Sequence, residues 1–155
     1  MKIKEKIWKY QINGTIHIWK YHENTRDYPG WNFAADEHAI IDLIDLLKIM
    51  EKSEWPVSKL IETVKPTFNQ LKVPNNKNGF AKYEAREKLI FIFERNGPNE
   101  YWSIISNSES LEIIFGLDKL YELKETLAKP NINNCEYRVY DYENEDILFL
   151  WPFKL

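Results

Sequence analysis

An aromatic turn that runs directly into a long amphipathic pattern constrains the fold more than any other feature of this sequence. The turn covers Tyr28–Phe33, and Asp36 follows where a helix N-cap would accept a backbone N–H. Glu37 adds negative charge to the first turn, which the helix dipole favours. Apolar residues then recur at helical spacing, at Ile40, Ile41, Leu43, Ile44 and Leu47. We therefore predict a helix over 36–52 with this stripe against a core.

The N-terminal residues alternate between apolar and polar side chains, which is typical of strands. Residues 2–12 and 14–22 flank Asn13-Gly14, a pair favoured in type I′ turns because both positions accept a positive φ. The pattern predicts a β-hairpin at this end of the chain.

A continuous apolar run marks the centre of the predicted sheet. Residues 88–95 contain Leu-Ile-Phe-Ile-Phe, which suits a strand buried on both faces. Segments 101–106 and 108–115 follow after short turns, so we expect the three strands to form an antiparallel meander. Segment 57–65 fits either a short helix or an edge strand, and we favour the strand.

A second helix and a closing hairpin complete the predicted elements. Gly116 and Asp118 open the helix, and Pro130 is expected to end it. Its inner side is predicted to hold Leu120, Tyr121, Leu123 and Leu127. Residues 136–142 and 147–153 read as the hairpin. We predict a single α+β domain over 1–155, with a mainly antiparallel sheet of about six to seven strands and two principal helices packed on one face.

Composition excludes several classes of function. Cys135 is the only cysteine, so an intramolecular disulfide and a thiolate metal site are ruled out, and we expect a buried structural thiol. The net charge is −3 and there are only four arginines, which disfavours direct nucleic-acid binding. No stretch approaches the ~18 apolar residues of a membrane span. With no signal-peptide core, we expect a cytoplasmic protein that does not associate with membranes.

The residues that could carry chemistry do not form a recognisable site. His38, Asp42 and Asp45 share one helical face and could present three ligands to a metal, but a solvated polar face explains them better. His17 and His22 have odd spacing on a predicted strand and so point to opposite faces. We expect no catalytic residue, no metal and no cofactor.

Acidic and aromatic residues are the candidates for binding a partner protein. The turn between the last two strands contains Glu143, Glu145 and Asp146, whose carboxylates are expected to project together from the sheet end. Tyr28 and Trp31 offer aromatic anchors of the kind enriched at protein interfaces. An acidic surface of this type would attract a basic partner.

Packing residues spread over the chain resemble those of small uncharacterised bacterial families. The pattern consists of Pro29-Gly30-Trp31, Phe33 and Asp36 before the first helix, Val73–Asn76, Trp102, Gly116-Leu117 and Leu150–Phe153. Some such proteins resemble the immunity partners encoded beside polymorphic or contact-dependent toxins. The resemblance implies a toxin as partner and carries over no catalytic residue. We therefore favour a non-enzymatic protein-binding domain, an immunity protein that masks a toxin surface. The alternative is a small metal-dependent hydrolase that uses His38, Asp42 and Asp45.

Overall fold

The chain builds two mixed β-sheets whose inward faces share one hydrophobic core. The computed structural model describes residues 2–23, 28–73, 80–133, 135–141, 143 and 146–152. The helices in these residues are α1 (Ile3–Lys9), α2 (Glu37–Glu51) and α3 (Leu117–Asn133), with a short 3₁₀ turn at Gln70–Lys72. The strands are β1 (Ile16–Tyr21), β2 (Trp31–Ala35), β3 (Val57–Glu62), β4 (Tyr83–Ala85), β5 (Lys88–Phe93), β6 (Trp102–Ser106), β7 (Ser110–Phe115), β8 (Tyr137–Tyr140) and β9 (Ile147–Trp151).

The strands divide into a five-stranded sheet and a four-stranded sheet. Sheet A has the order β4-β1-β2-β9-β8, and sheet B has the order β3-β5-β7-β6. Each contains one parallel pair, β2 with β9 and β5 with β7. The α+β class is confirmed. The single, mainly antiparallel sheet of six to seven strands with two helices is wrong, because the described residues form two mixed sheets and three helices.

The predicted meander is wrong because β7 lies between β5 and β6. The segment that joins β5 to β6 therefore crosses the end of β7, where the Gly116 N–H donates to Tyr101 O at 2.8 Å. A Cβ at Gly116 would lie 2.1 Å from Pro98 O, so only glycine permits this crossing. The more apolar β7 occupies the inner position and the serine-containing β6 occupies the edge.

The N-terminal hairpin is also wrong, since Ile3–Lys9 is helical. Ile3 and Ile7 are four residues apart, a spacing that suits a helix as well as a strand. The Lys59 ammonium stabilises the helix, because it donates to carbonyls at the C-terminal end, at 2.9 Å from Ile7 O and 3.1 Å from Trp8 O. Gly14 has the expected positive φ of 87°, but in the turn before β1.

The other predicted elements are confirmed with local changes. The Asp36 carboxylate accepts the Ala39 N–H at 2.9 Å and caps α2. Segment 57–65 contains strand β3. The closing hairpin consists of β8 and β9. Pro130 lies in the last turn of α3 and does not end it, since a proline there removes only one helical hydrogen bond. Tyr121 faces outward, and its hydroxyl donates to Glu51 of α2 at 2.6 Å.

The two sheets differ in how their faces are covered. One face of sheet A, including Ile18, Phe33 and Leu150, joins the main core. Its other face, including Trp19 and Phe149, packs in a second core with Leu71 and Ala81. In sheet B, only one face of β5 is fully buried. Leu89, Phe91 and Phe93 on the inner face are fully buried, whereas Ile90 and Ile92 on the outer face are half-buried. The prediction that this strand is buried on both faces is therefore wrong.

We predict that Leu43→Ala lowers the free energy of unfolding by about 2–5 kcal/mol, because Leu43 is fully buried in the main core and its loss leaves a cavity. Ile41→Ala is the matched control on the same helix, since Ile41 is 51% exposed, and its effect should stay within about 0.5 kcal/mol. Urea unfolding measures both. Equal losses in the two variants would show that α2 presents a different side to the core.

Candidate functional site

The outward side of sheet B is an aliphatic surface that faces solvent. Strand register places its side chains in three rows. The first holds Ser58, Ile92, Ile114 and Ser103, the second holds Leu60, Ile90, Glu112 and Ile105, and the third is polar, with Glu62, Lys88 and Ser110. We call Leu60, Ile90, Ile92, Ile105, Ile114 and Glu112 the open face. Leu60 is 51% exposed and Ile105 is 42% exposed, while the other four are half-buried.

Aliphatic residues at these positions are unusual for a sheet with one face in water. Such a sheet normally alternates apolar side chains toward the core with polar side chains toward solvent. Here the inward positions of β5 and β7 are fully buried, and three of the outward positions are also isoleucine. Apart from Glu112, the open face therefore has the composition of a buried surface, and with respect to the described residues it remains partly exposed to solvent.

Two exposed tryptophans stand beside the open face. Trp8 is 77% exposed on α1 and lines a cleft of about 400 Å³ with Pro56, Ser58 and Ile92. Trp55 is 72% exposed and directly precedes Pro56. Tryptophan is enriched among the residues that dominate binding energy at interfaces. The cleft and the tryptophans extend the open face past its β3 edge.

The position of Trp8 depends on Lys59. The three backbone carbonyls that accept from the Lys59 ammonium belong to Ile7, Trp8 and Tyr10, so this side chain holds the end of α1 against β3. Burial lowers the pKa of Lys59. A half-buried ammonium that donates to three carbonyls holds the helix end in place, and with it the border of the open face.

The size of the surface suits a macromolecule better than a small ligand. Strands about 4.8 Å apart make the four-stranded sheet on the order of 15 Å wide, and the two rows of the open face lie about 7 Å apart along the strands. A stable specific interface buries roughly 800 Å² on each partner. The open face is large enough for the centre of such an interface, and the contact would have to include the bordering tryptophans.

The aromatic residues predicted to bind a partner are packing residues. Trp31 is only 5% exposed. The Tyr28 ring packs at 5.0 Å from the Phe149 ring and 5.5 Å from the Trp151 ring, between centroids. Their large side chains cover sheet A and leave little area for a partner.

Asp146, one of the three predicted acidic residues of the last turn, is engaged in contacts between the sheets. Asp146 is half-buried: its carboxylate accepts the Ile104 N–H at 3.0 Å, and its carbonyl accepts the Trp102 indole N–H at 2.9 Å. Asp146 therefore ties the β8–β9 hairpin of sheet A to the edge strand β6 of sheet B. Glu143 is exposed, and Glu145 lies outside the described residues.

The candidate metal ligands on α2 are not gathered into a site. His38 and Asp45 are exposed, while the Asp42 carboxylate accepts the Asn13 N–H at 2.7 Å. Among the residues that the structure describes, no group of three or more histidine, cysteine, aspartate or glutamate side chains could hold a metal ion. The hydrolase alternative therefore has no observation in its favour.

The remaining reactive side chains are placed apart from one another. His17 is buried, with Nδ1 at 3.0 Å from the carbonyls of both Val64 and Lys65, and His22 is exposed at 3.8 Å from Glu84. The prediction of a buried Cys135 is wrong, because the thiol is exposed in the connection between α3 and β8.

Comparison of the chain with protein-family models, with curated proteins and with solved structures finds no match. No helix in the described ranges combines the length and the apolar character needed to cross a membrane. The geometry of the open face is therefore the basis for proposing a function.

We predict that Asp146→Ala lowers the free energy of unfolding by about 1–2 kcal/mol, because it removes the acceptor of the Ile104 N–H between the sheets. Glu143→Ala, in the same connection but exposed, should change it by less than about 0.5 kcal/mol. Urea unfolding at neutral pH distinguishes the two. An unchanged free energy of unfolding for Asp146→Ala would show that this contact between the sheets does not stabilise the fold.

Proposed function

We propose that this chain is a non-enzymatic protein-binding domain whose partner covers the open face. One observation carries the proposal: among the described residues, both faces of sheet A and the inner face of sheet B pack in hydrophobic cores, whereas the aliphatic outer face of sheet B stays partly exposed. The largest contiguous apolar patch on the surface of a monomeric protein is often a functional interaction site. Flanking tryptophans and serines resemble the rim of an interface around an apolar centre.

The occupant is a different protein and not a second copy of this chain. In a two-fold contact the same surface patch meets itself. Glu112 lies in the middle of the open face, so a symmetric dimer would bring two carboxylates together in an apolar environment. The chain also carries a net charge of −3, which adds repulsion between copies. Charge thus favours a partner of complementary, basic character.

A toxin neutralised in the cytoplasm is the partner we propose. Support comes from the resemblance of the packing residues to immunity proteins, which act by masking a surface and need no catalytic group. Glu143 is exposed and remains a candidate charge for steering a basic partner toward the domain. The open face would provide the affinity and the exposed acids the rate of encounter.

The test uses the product of the neighbouring reading frame as the candidate partner. The double variant Leu60→Thr/Ile105→Thr removes the two most exposed aliphatic side chains of the open face while keeping good strand formers. We expect it to bind at least tenfold more weakly than the wild type in calorimetry, and to lose protection in a growth assay, since apolar contacts buried in an interface can each contribute about 1 kcal/mol.

The control is Ile41→Thr/Ile132→Thr, which alters two comparably exposed isoleucines on helices α2 and α3. This variant should bind as the wild type does. Unchanged binding by the open-face variant would place the interface elsewhere. Absence of binding by the wild type would remove the neighbouring product as the partner.

A further inference from the structure

Glu112 is a carboxylate surrounded by aliphatic side chains in the middle of the open face. Strand register puts it between Ile90 of β5 and Ile105 of β6, and Ile114 lies two residues along β7 on the same face. Directly paired residues on one face lie about 4.5–5.5 Å apart between Cβ atoms. The two cross-strand neighbours of this carboxylate are therefore both isoleucine.

The Glu112 carboxylate forms no ion pair with another residue in the described part of the chain. Among these residues no hydrogen bond or ion pair within 4.0 Å involves its carboxylate. Lys88 lies diagonally from Glu112 on the same face, next to Ser110 and Glu62 in register, and its ammonium forms no ion pair with the Glu112 carboxylate. In the free protein, water solvates Glu112, because the residue is half-exposed.

A partner that covers the open face removes this water. An ionised carboxylate that loses its hydration without a compensating donor destabilises the complex by several kcal/mol. A Lys or Arg side chain compensates with a charge-assisted hydrogen bond, which is stronger than a neutral one. A phosphate or a second carboxylate at this place would be repelled, which excludes nucleic acid and acidic peptides.

We infer that Glu112 selects partners that present a lysine or arginine from within an apolar surface. The inference rests on the proposed function, because it specifies the chemistry of the protein that covers the open face. The isoleucines of the open face provide apolar contact area that many apolar surfaces could match. The Glu112 carboxylate weakens binding to every surface that lacks a basic group opposite it. Glu112 is thus a specificity-determining residue.

The test uses a phage-displayed library of a small helical scaffold with randomised surface positions, selected on the immobilised wild-type protein. Binders directed to the open face are recognised by their loss of binding to Leu60→Thr/Ile105→Thr. Among these we expect enrichment of Lys or Arg at one contact position. Glu112→Gln should weaken them by about 30-fold, the loss expected when one member of a desolvated charge pair is removed.

Matched variants separate a local charge effect from a change of fold. Glu62→Gln removes a carboxylate from an exposed end of the same sheet and should leave the affinity unchanged. A selection repeated on Glu112→Lys should enrich Asp or Glu in place of basic residues. Glu112→Thr serves as a second neutral variant, and equal urea midpoints for all variants confirm that each is folded.

The outcomes distinguish this inference from the function on which it rests. Open-face binders without a preference for basic residues, or with full affinity for Glu112→Gln, would overturn the role of Glu112 and leave the binding surface intact. Selection that produces no binder sensitive to Leu60→Thr/Ile105→Thr would contradict both.

Discussion

A β-sheet whose strands carry aliphatic residues on both sides gains the full free energy of hydrophobic burial only when both sides are removed from solvent, by its own chain or by another. This chain meets that requirement for sheet A, where the main core covers one face and the segment around Leu71 and Ala81 covers the other. The residues that the structure describes do not meet it for sheet B, whose outer face stays partly exposed. The proposed function follows from this difference between the two sheets, since a partner would supply the missing cover.

Two local devices make sheet B possible and determine which residues its outer face displays. The close crossing at Gly116 lets β7 enter between β5 and β6, which places Glu112 and Ile114 in the interior of the sheet. Asp146 accepts the N–H of Ile104 and so anchors the edge strand β6 to the other sheet. A residue first interpreted as a binding charge thus has a structural role, and the centre of the surface is a different carboxylate.

Sequence patterns predicted the elements that depend on local interactions. Helix α2 is capped by Asp36, and its apolar residues recur from one turn to the next. In α3, Leu120, Leu123 and Leu127 are buried as expected. The start of the chain could not be predicted in this way, because its helix is held by Lys59, some fifty residues away. Strand order depended on the crossing at Gly116, which leaves no periodic signal.

The candidate site was missed for a related reason. The apolar run of β5 correctly indicated an inner strand, but alternation along a strand cannot tell whether an apolar outer face is covered by the same chain or left exposed. Acidic turns and aromatic clusters were visible in the sequence, and tertiary packing turned out to use Trp31, Tyr28 and Asp146. Burial was the missing information in each case.

Solvent accessibility of individual isoleucine methyl groups tests the central claim most directly. With isoleucine methyls labelled for NMR, a soluble nitroxide should broaden the signals of Ile90, Ile92, Ile105 and Ile114 in the monomeric protein. The signals of Ile16 and Ile113, which are buried in the main core, should stay sharp. Protection of the open-face methyls equal to that of Ile113 would show that the chain already covers this surface and would contradict the account.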